Sequence, residues 1–315
     1  MDPLDQAAAC IREGKVVAFP TETVYGLGAN ALDPMAAARI FELKERPAFD
    51  PLIVHIADLS QLQLLTPSKD PRLTRLAEAF WPGPLTVVVP KTERVPDLVT
   101  SGLPTVGVRM PDHPMAQELI RRSGCPIAAP SANKFGRISP TAAQHVTRHM
   151  PEVDFVLDGG ETRVGIESTI IALRPDGYVI LRPGAITRED LNRILPESAS
   201  PVAAGSPEAP GMLASHYSPA KPFHLFTPTL LQRLDPSKCG FISYRGNAPQ
   251  GFARVLTLAP DGDLKAYAAG IFGAMHQLEA SGVECLVAEP VPEQGIGIAI
   301  MDRLRKAAHE HGLPG

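Results

Sequence analysis

The chain has 315 residues, with 30 Lys and Arg set against 34 Asp and Glu for a formal net charge of −4. That balance, with no block of basic residues, lacks the electrostatic footprint of a general nucleic-acid binder, and no apolar stretch reaches the ~18–20 residues a membrane-spanning helix needs. With 44% hydrophobic residues, 20% charged residues and 33 prolines, the composition is that of a soluble globular protein with many rigid turns. Its length suits two domains of the usual ~100–200 residues.

The opening MDPLDQAAACIREGK is acidic, places Leu4, Ala8 and Ile11 on one helical face and stops at Gly14. It lacks the basic start and apolar centre of a secretory leader, so a cytoplasmic location is expected. VVAFP then reads as a short buried strand running into PTETVYGLGAN, read as a turn ending in Gly26-Leu27-Gly28. Asp33 and Pro34 supply an N-cap and a first-turn proline for a helix through Lys44. LIVHI, LTVVV, VGVRM, PIAA, FVLD, STIIAL and YVILR follow as strands, the last two joined by a turn at Pro175-Asp176-Gly177. Helices are expected around 71–80, 114–122 and 141–149, and Thr187 with Asp190 makes an approximate capping box for a closing helix.

Residues 196–222 are dense in Pro, Ala, Ser and Gly without a helical or strand period, as in an extended linker. Beyond it, FHLF, GFISY, RVLTL and ECLVAE alternate with helices at 263–280 and 298–309, which suggests a small parallel α/β sheet. The expected organisation is a mixed α/β domain over 1–196, a linker or lid over 197–221 and a second domain over 222–315. No internal repeat is visible.

Cys10, Cys125, Cys239 and Cys285 are widely separated with no C-x-x-C pair, and are expected to be buried, reduced thiols. The P-loop pattern is absent, and Gly26-Leu27-Gly28 and Gly295-Ile296-Gly297 lack the third glycine of a dinucleotide fold. His145 and His149 are four apart without the glutamate of a zincin, so a solvated helix face is the expectation there. More informative is a series of cations at strand ends and in small-residue loops: Lys44 and Arg46, Arg109, Lys134 and Arg137, and Arg182. Singly these suit surface charges; together, with Ser131, Asn133, Ser139 and Thr141 as donors beside them, they suit a polyphosphate held beyond the carboxyl ends of strands. Arg109 falls where the strand alternation buries it, and a buried guanidinium calls for a planar anion such as a carboxylate. His55 ends a strand, where a packed core histidine is the ordinary outcome.

These residues occur within FPTETVYGLGANA, KERPAFDPLIVHI, FWPGPLTVVV, VGVRMPDHP, PSANKFGRISPT, GIESTII and LRPG, and this ordered set resembles the Sua5/YrdC/YwlC family of threonylcarbamoyl-AMP synthases. APGMLASHYSPAKP and GIGIAIMDRLRKAA extend the resemblance to the long Sua5 form, over nearly the whole chain. The resemblance implies a YrdC-like twisted open mixed sheet with helices, followed by a small Rossmann-like C-terminal Sua5 domain. It implies a nucleotidyltransferase that joins L-threonine, bicarbonate and ATP into L-threonylcarbamoyladenylate and pyrophosphate, with Mg²⁺ carried on the phosphates and no metal held by the protein alone. A downstream tRNA threonylcarbamoyl transferase complex would use the product, so no stable tRNA binding and no membrane are expected.

Carried over by position, Thr23, His55, Arg109, Ala129 and Ser168 would form the threonine site, with Thr21 and Tyr25 shaping it and Ala129 offering only backbone groups. Lys44, Arg46, Asp50, Thr105, Ser131, Asn133, Ser139, Arg182 and Tyr217 would form the ATP site, Lys44 and Arg46 acting in catalysis. Tyr217 resembles a lid residue. Glu45 and Asp50 depart from the family pattern by adding acids beside the phosphate site; Asp50 would face Mg²⁺, bond its own loop or repel phosphate. Two other readings compete. An RNA-binding or ribosome-assembly module could use the same cationic groove, and a carbamoyl-transfer domain of the hydrogenase-maturation type shares the fold but would bring flanking zinc-finger cysteines.

Overall fold

The computed structural model describes residues 2–199 and 216–309, so most of the expected linker lies outside the described residues. In the first part, β1 (Val17–Phe19), β2 (Gly26–Asn30), β3 (Ile53–His55), β4 (Leu85–Pro90), β5 (Thr105–Arg109), β6 (Ile127–Ala128), β7 (Phe155–Val156), β8 (Thr169–Arg174) and β9 (Gly177–Arg182) form one sheet. Its order is β7-β1-β2-β6-β3-β5-β4-β8-β9, among the described residues, with parallel and antiparallel neighbours mixed. In the second part, β10 (Phe223–Leu225), β11 (Cys239–Ser243), β12 (Arg254–Thr257) and β13 (Cys285–Ala288) pair in the order β10-β13-β11-β12, every pair parallel. No helix among the described residues is long and apolar enough to cross a membrane.

Local chemistry sets several of these elements. The Asp33 carboxylate accepts the amides of Met35 and Ala36, and Pro34 opens the helix Pro34–Lys44 at no cost in hydrogen bonds. Thr187 and Asp190 exchange side-chain and backbone bonds at 3.2 and 3.1 Å, completing the capping box. In the helix Leu264–Glu279, Tyr267, Ile271, Met275 and Leu278 recur at helical spacing and are buried in the core of the second unit. Full burial of such side chains contributes about 1.5–3 kcal/mol each. The same apolar cluster includes Val24, Ile138 and Ile166 from the first unit, so the two units are packed together.

Three expectations are corrected. Gly26 to Asn30 is a strand, paired antiparallel with β1. A Cβ on Gly28 would stand 2.6 Å from the Phe19 ring and 2.7 Å from Ile127 Cγ2, so the glycine is there for close packing between strands. Cys239 and Cys285 are a disulfide: β11 and β13 are neighbours, and their parallel register sets the two cysteines opposite each other. His145 is buried, its ring stacked on that of His276 at 4.0 Å across the seam between the units, because the second unit covers the helix face expected to meet solvent.

Candidate active site

β3 and β5 run parallel, and their register sets His55 beside Arg109 at the carboxyl ends of the two strands. This is where open α/β sheets collect ligands. The chain leaving β6 adds Ala129, Pro130 and Ser131, the residues entering β8 add Glu167 and Ser168, and β9 ends in Arg182, which lies opposite Ile170. With Thr21, Thr23 and the pair His216 and Tyr217, they line one cleft.

Arg109 is 4% exposed and meets the Glu22 carboxylate at 2.6 Å. The contact lacks hydrogen-bond alignment, and neither Glu22 oxygen has a hydrogen-bond partner. The planar anion that a buried guanidinium calls for is thus supplied from the chain itself, through a loosely oriented pair. Burial, with Arg109 alongside, pushes His55 down to about 3, so its imidazole is neutral, and Nδ1 is buried without a partner. The Thr21 hydroxyl donates to the Val24 carbonyl at 2.6 Å and lies 2.9 Å from that of Thr23, which fixes the loop and sets Thr23 at the cleft wall. Tyr25 does not line the cleft; its hydroxyl donates to the Gly160 carbonyl at 2.7 Å.

On the other side of the cleft, Arg182 donates to the Ser168 carbonyl through Nε at 3.1 Å and Nη2 at 3.0 Å, and the Ser168 hydroxyl lies 2.8 Å from that of Thr86. Lys44 is 1% exposed, with its ammonium bonded to the carbonyls of Ser131 and Asn133. Burial, then Arg46, holds that ammonium well below the usual lysine range. Arg46 donates to the carbonyls of Asp50 and Pro51 at 2.9 and 2.8 Å and pairs with the Asp50 carboxylate at 2.9 Å. Burial raises the Asp50 carboxyl against the pull of Arg46 and Lys44. The Asp50 carboxylate thus faces Arg46 of its own loop as an ion pair without an aligned hydrogen bond, while Glu45 is exposed and pairs with Lys134 at 3.2 Å.

The structure thus brings Thr23, His55, Arg109, Ala129, Ser168, Ser131, Arg182 and Tyr217 to one cleft wall. Lys44 and Asn133 adjoin it through Ser131, Arg46 and Asp50 form a pair next to Lys44, and the Ser139 hydroxyl donates to Glu167. Thr105 lies at the far end of β5 from Arg109 and does not line the cleft; it lines a small neighbouring recess with Thr86 and Thr100, which shares Ile53 with the cleft. Glu22, Glu167 and His216 were not singled out from the sequence, although each sits inside a quoted motif, in TET, GIEST and SHYSP.

The cleft is almost shut, with a free volume of about 50 Å³. Tyr217 lines it, buried in a left-handed backbone conformation at φ 67° that costs about 1–2 kcal/mol for a residue with a side chain. Stacking on Phe272 at 5.5 Å and contact with His216 at 4.1 Å hold it there. Many of the buried polar atoms without hydrogen-bond partners among the described residues surround this cleft: those of Glu22, Asp50, His55, Arg109, Asn133, His216 and Tyr217. Buried groups left in that condition are costly, and their concentration in one place is what a polar ligand would relieve.

A mixed α/β sheet whose cleft gathers buried cations, small hydroxyls and a neutral histidine has the chemistry to take a small molecule that carries an anionic group. The family model described as Telomere recombination matches residues 9–184, and that described as Threonylcarbamoyl-AMP synthase, C-terminal domain, matches residues 186–309. The chain belongs to the Sua5/YrdC/YwlC family. It is 44% identical to the threonylcarbamoyl-AMP synthase of Pyrococcus abyssi over 96% of this chain and 93% of that one, and 42% identical to the Bacillus subtilis enzyme over 98% and 93%. The crystal structure of P. abyssi Sua5 complexed with L-threonine superposes with a TM-score of 0.87 at 41% identity, covering 98% of this chain and 94% of that one.

Proposed function

We propose that this chain is a threonylcarbamoyl-AMP synthase, which joins L-threonine, bicarbonate and ATP into L-threonylcarbamoyladenylate with release of pyrophosphate, for tRNA N6-threonylcarbamoyladenosine formation. The observation that carries the reading is the Arg109–Glu22 pair, 2.6 Å apart beside His55 at the ends of two parallel strands. Threonine's carboxylate is the planar anion that replaces Glu22 on the guanidinium, and it supplies the aligned pair of hydrogen bonds that Glu22 does not make. Thr23 and the neutral His55 then meet the polar remainder of the amino acid.

The triphosphate lies along Ser131, Arg182, Lys44 and Arg46. Bicarbonate loses hydroxide to become CO₂, and the neutral threonine amine adds to that carbon and gives up a proton, so amine and bicarbonate together yield a carbamate and one water. A carbamate oxygen attacks the α-phosphorus as the bond to the β,γ-pyrophosphate breaks, and the leaving group carries the charge away. No side chain is acylated, so alignment of the two substrates and neutralisation of phosphate charge supply most of the acceleration, alignment alone being worth up to ~7–11 kcal/mol. Asp50, the carboxylate beside the proposed phosphate cations, is already paired with Arg46, so the protein's donor set fits a cation that arrives on the nucleotide. Mg²⁺ carried on the phosphates would supply further charge neutralisation. Tyr217 and its neighbours exclude water from the mixed anhydride.

The test is incubation with ATP, Mg²⁺, bicarbonate and each of several amino acids, with detection of the acyl-adenylate by mass. Threonine should give threonylcarbamoyl-AMP and pyrophosphate in equal amounts. Equal yields with serine would overturn the substrate assignment, and threonine-independent pyrophosphate release would overturn the reaction.

A further inference from the structure

The helix Gly297–Ala308 belongs to the second unit, yet one of its side chains serves the cleft of the first. Arg303 is fully buried, with 0% of its side chain exposed. Its Nε donates to Glu167 Oε2 at 2.9 Å, and its Nη1 donates to the Pro183 carbonyl at 2.8 Å and to Asp302 Oδ2 at 2.7 Å. The guanidinium carbon stands 5.3 Å from the centre of the Tyr217 ring, within cation–π range.

Asp302 is the neighbour on the same helix; each of the other three contacts leads to a cleft residue. Glu167 precedes Ser168 and takes the Ser139 hydroxyl on its second oxygen. Pro183 follows Arg182, which holds Ser168 by three bonds. Tyr217 lines the cleft itself. Burial alone pushes the Glu167 carboxyl up, but Arg303, Arg182 and the Ser139 hydroxyl outweigh it and keep the group below the usual carboxylate range. Two domains can be held together by apolar contact, and these are, through Ile138, Ile166, Phe272 and Met275. A buried guanidinium adds a large desolvation cost to such a seam, which makes it a poor choice as simple glue. Its placement is explained by what it orients.

We propose that Arg303 is a positioning residue for adenylate formation: through this one guanidinium the second unit sets the Glu167–Ser139 contact and holds Tyr217 closed over the cleft. The proposal rests on the reading of the cleft as the threonylcarbamoyl-AMP site. It gives the motif GIGIAIMDRLRKAA, which lies far outside the cleft in sequence, a part in the chemistry.

The experiment uses the full chain and the variants Arg303→Met, Arg303→Lys and Arg303→Met with Glu167→Gln. Steady-state rates, KM for ATP and the ratio of free AMP to threonylcarbamoyl-AMP are measured, together with thermal midpoint and hydrogen exchange at the Ser218 amide, which donates to the Gly136 carbonyl at 2.7 Å. In Arg303→Met, KM for ATP should rise about tenfold or more, free AMP should increase, and the Ser218 amide should exchange faster than the core strands. Arg303→Lys should recover part of each effect, since it keeps the charge and loses the fork. In the double variant the orphaned carboxylate is gone, so the thermal midpoint should return towards that of the parent while the AMP leak and the fast exchange persist. If the double variant restores KM and product ratio along with stability, Arg303 only neutralises Glu167 and the proposal fails. It fails equally if Arg303→Met leaves KM, product ratio and exchange unchanged. A parent chain that makes no threonylcarbamoyl-AMP sinks the assigned reaction, whereas the Ser218 exchange rate still decides whether Arg303 holds the closed segment.

Discussion

The two units of this chain bury different things. The second is filled with Phe223, Ile271, Phe272, Met275 and Leu286, and its one fully buried guanidinium among the described residues, Arg303, points out of its own core. The first sinks Glu22, Lys44, Arg46, Asp50, Arg109, Glu167 and Arg182 around a cleft, each no more than 8% exposed. Burying charge costs several kcal/mol per ion after relaxation, so the first unit gives up stability for a prearranged electrostatic site, and the second recovers some by apolar packing. Damage to each should therefore show in different measurements.

The sharpest break is Arg109→Ala. It removes the proposed carboxylate partner and should lower threonine-dependent pyrophosphate release about 10³-fold, in line with the ~2–5 kcal/mol lost on truncating one member of a buried charge pair. Circular dichroism should show the fold intact; unchanged release would remove the clamp. Glu22→Gln comes next, stranding the guanidinium in the absence of threonine and costing about 3–5 kcal/mol of stability. Saturating threonine should restore part of the lost thermal midpoint, and no recovery would mean that Glu22 and substrate do not share Arg109. On the other side of the comparison, Leu286→Ala should cost about 2–5 kcal/mol by opening a cavity, with KM for threonine unchanged at a temperature where the variant is folded. A rise in that KM would show the second unit's core to be coupled to the amino-acid site.

The smallest effect concerns pH. Burial holds His145 at about 4 and His55 and His276 at about 3, so all are neutral in the folded chain. The unfolded chain takes up these protons first, below the ordinary histidine value of ~6.5. Stability is therefore fully present above ~6.5 and falls as pH drops towards 4, by up to ~1.4 kcal/mol per pH unit for each histidine. His145 and His276 share their surroundings with Arg148 and His149, which disfavour a further charge. Thermal midpoints from pH 7.5 to 5 should thus fall less steeply in His276→Gln than in the parent chain.

Hydrophobic period and turn chemistry made most elements legible. The N-cap at Asp33, the box at Thr187 and the parallel strands of the second unit all follow from local rules. β2 was lost because Gly26-Leu27-Gly28 carries no strand propensity, and the close approach of Phe19 that requires those glycines is tertiary. The cations of the site could be read as a set, but their partners could not: Glu22 and Arg109 are 87 positions apart, and Glu167 and Arg303 are 136 apart. The disulfide was hidden for the same reason, since only the order of parallel strands sets Cys239 opposite Cys285.

A hollow of about 50 Å³ has room for a water or two and none for a nucleotide. For the proposed reaction to run in this cleft, the Tyr217 segment has to swing in each direction at every turnover, and the frequency of that swing would then be a ceiling on throughput however fast the phosphorus chemistry becomes. An enzyme built this way should feel the thickness of its solvent: added sucrose or glycerol would slow it in proportion to viscosity once reactants saturate.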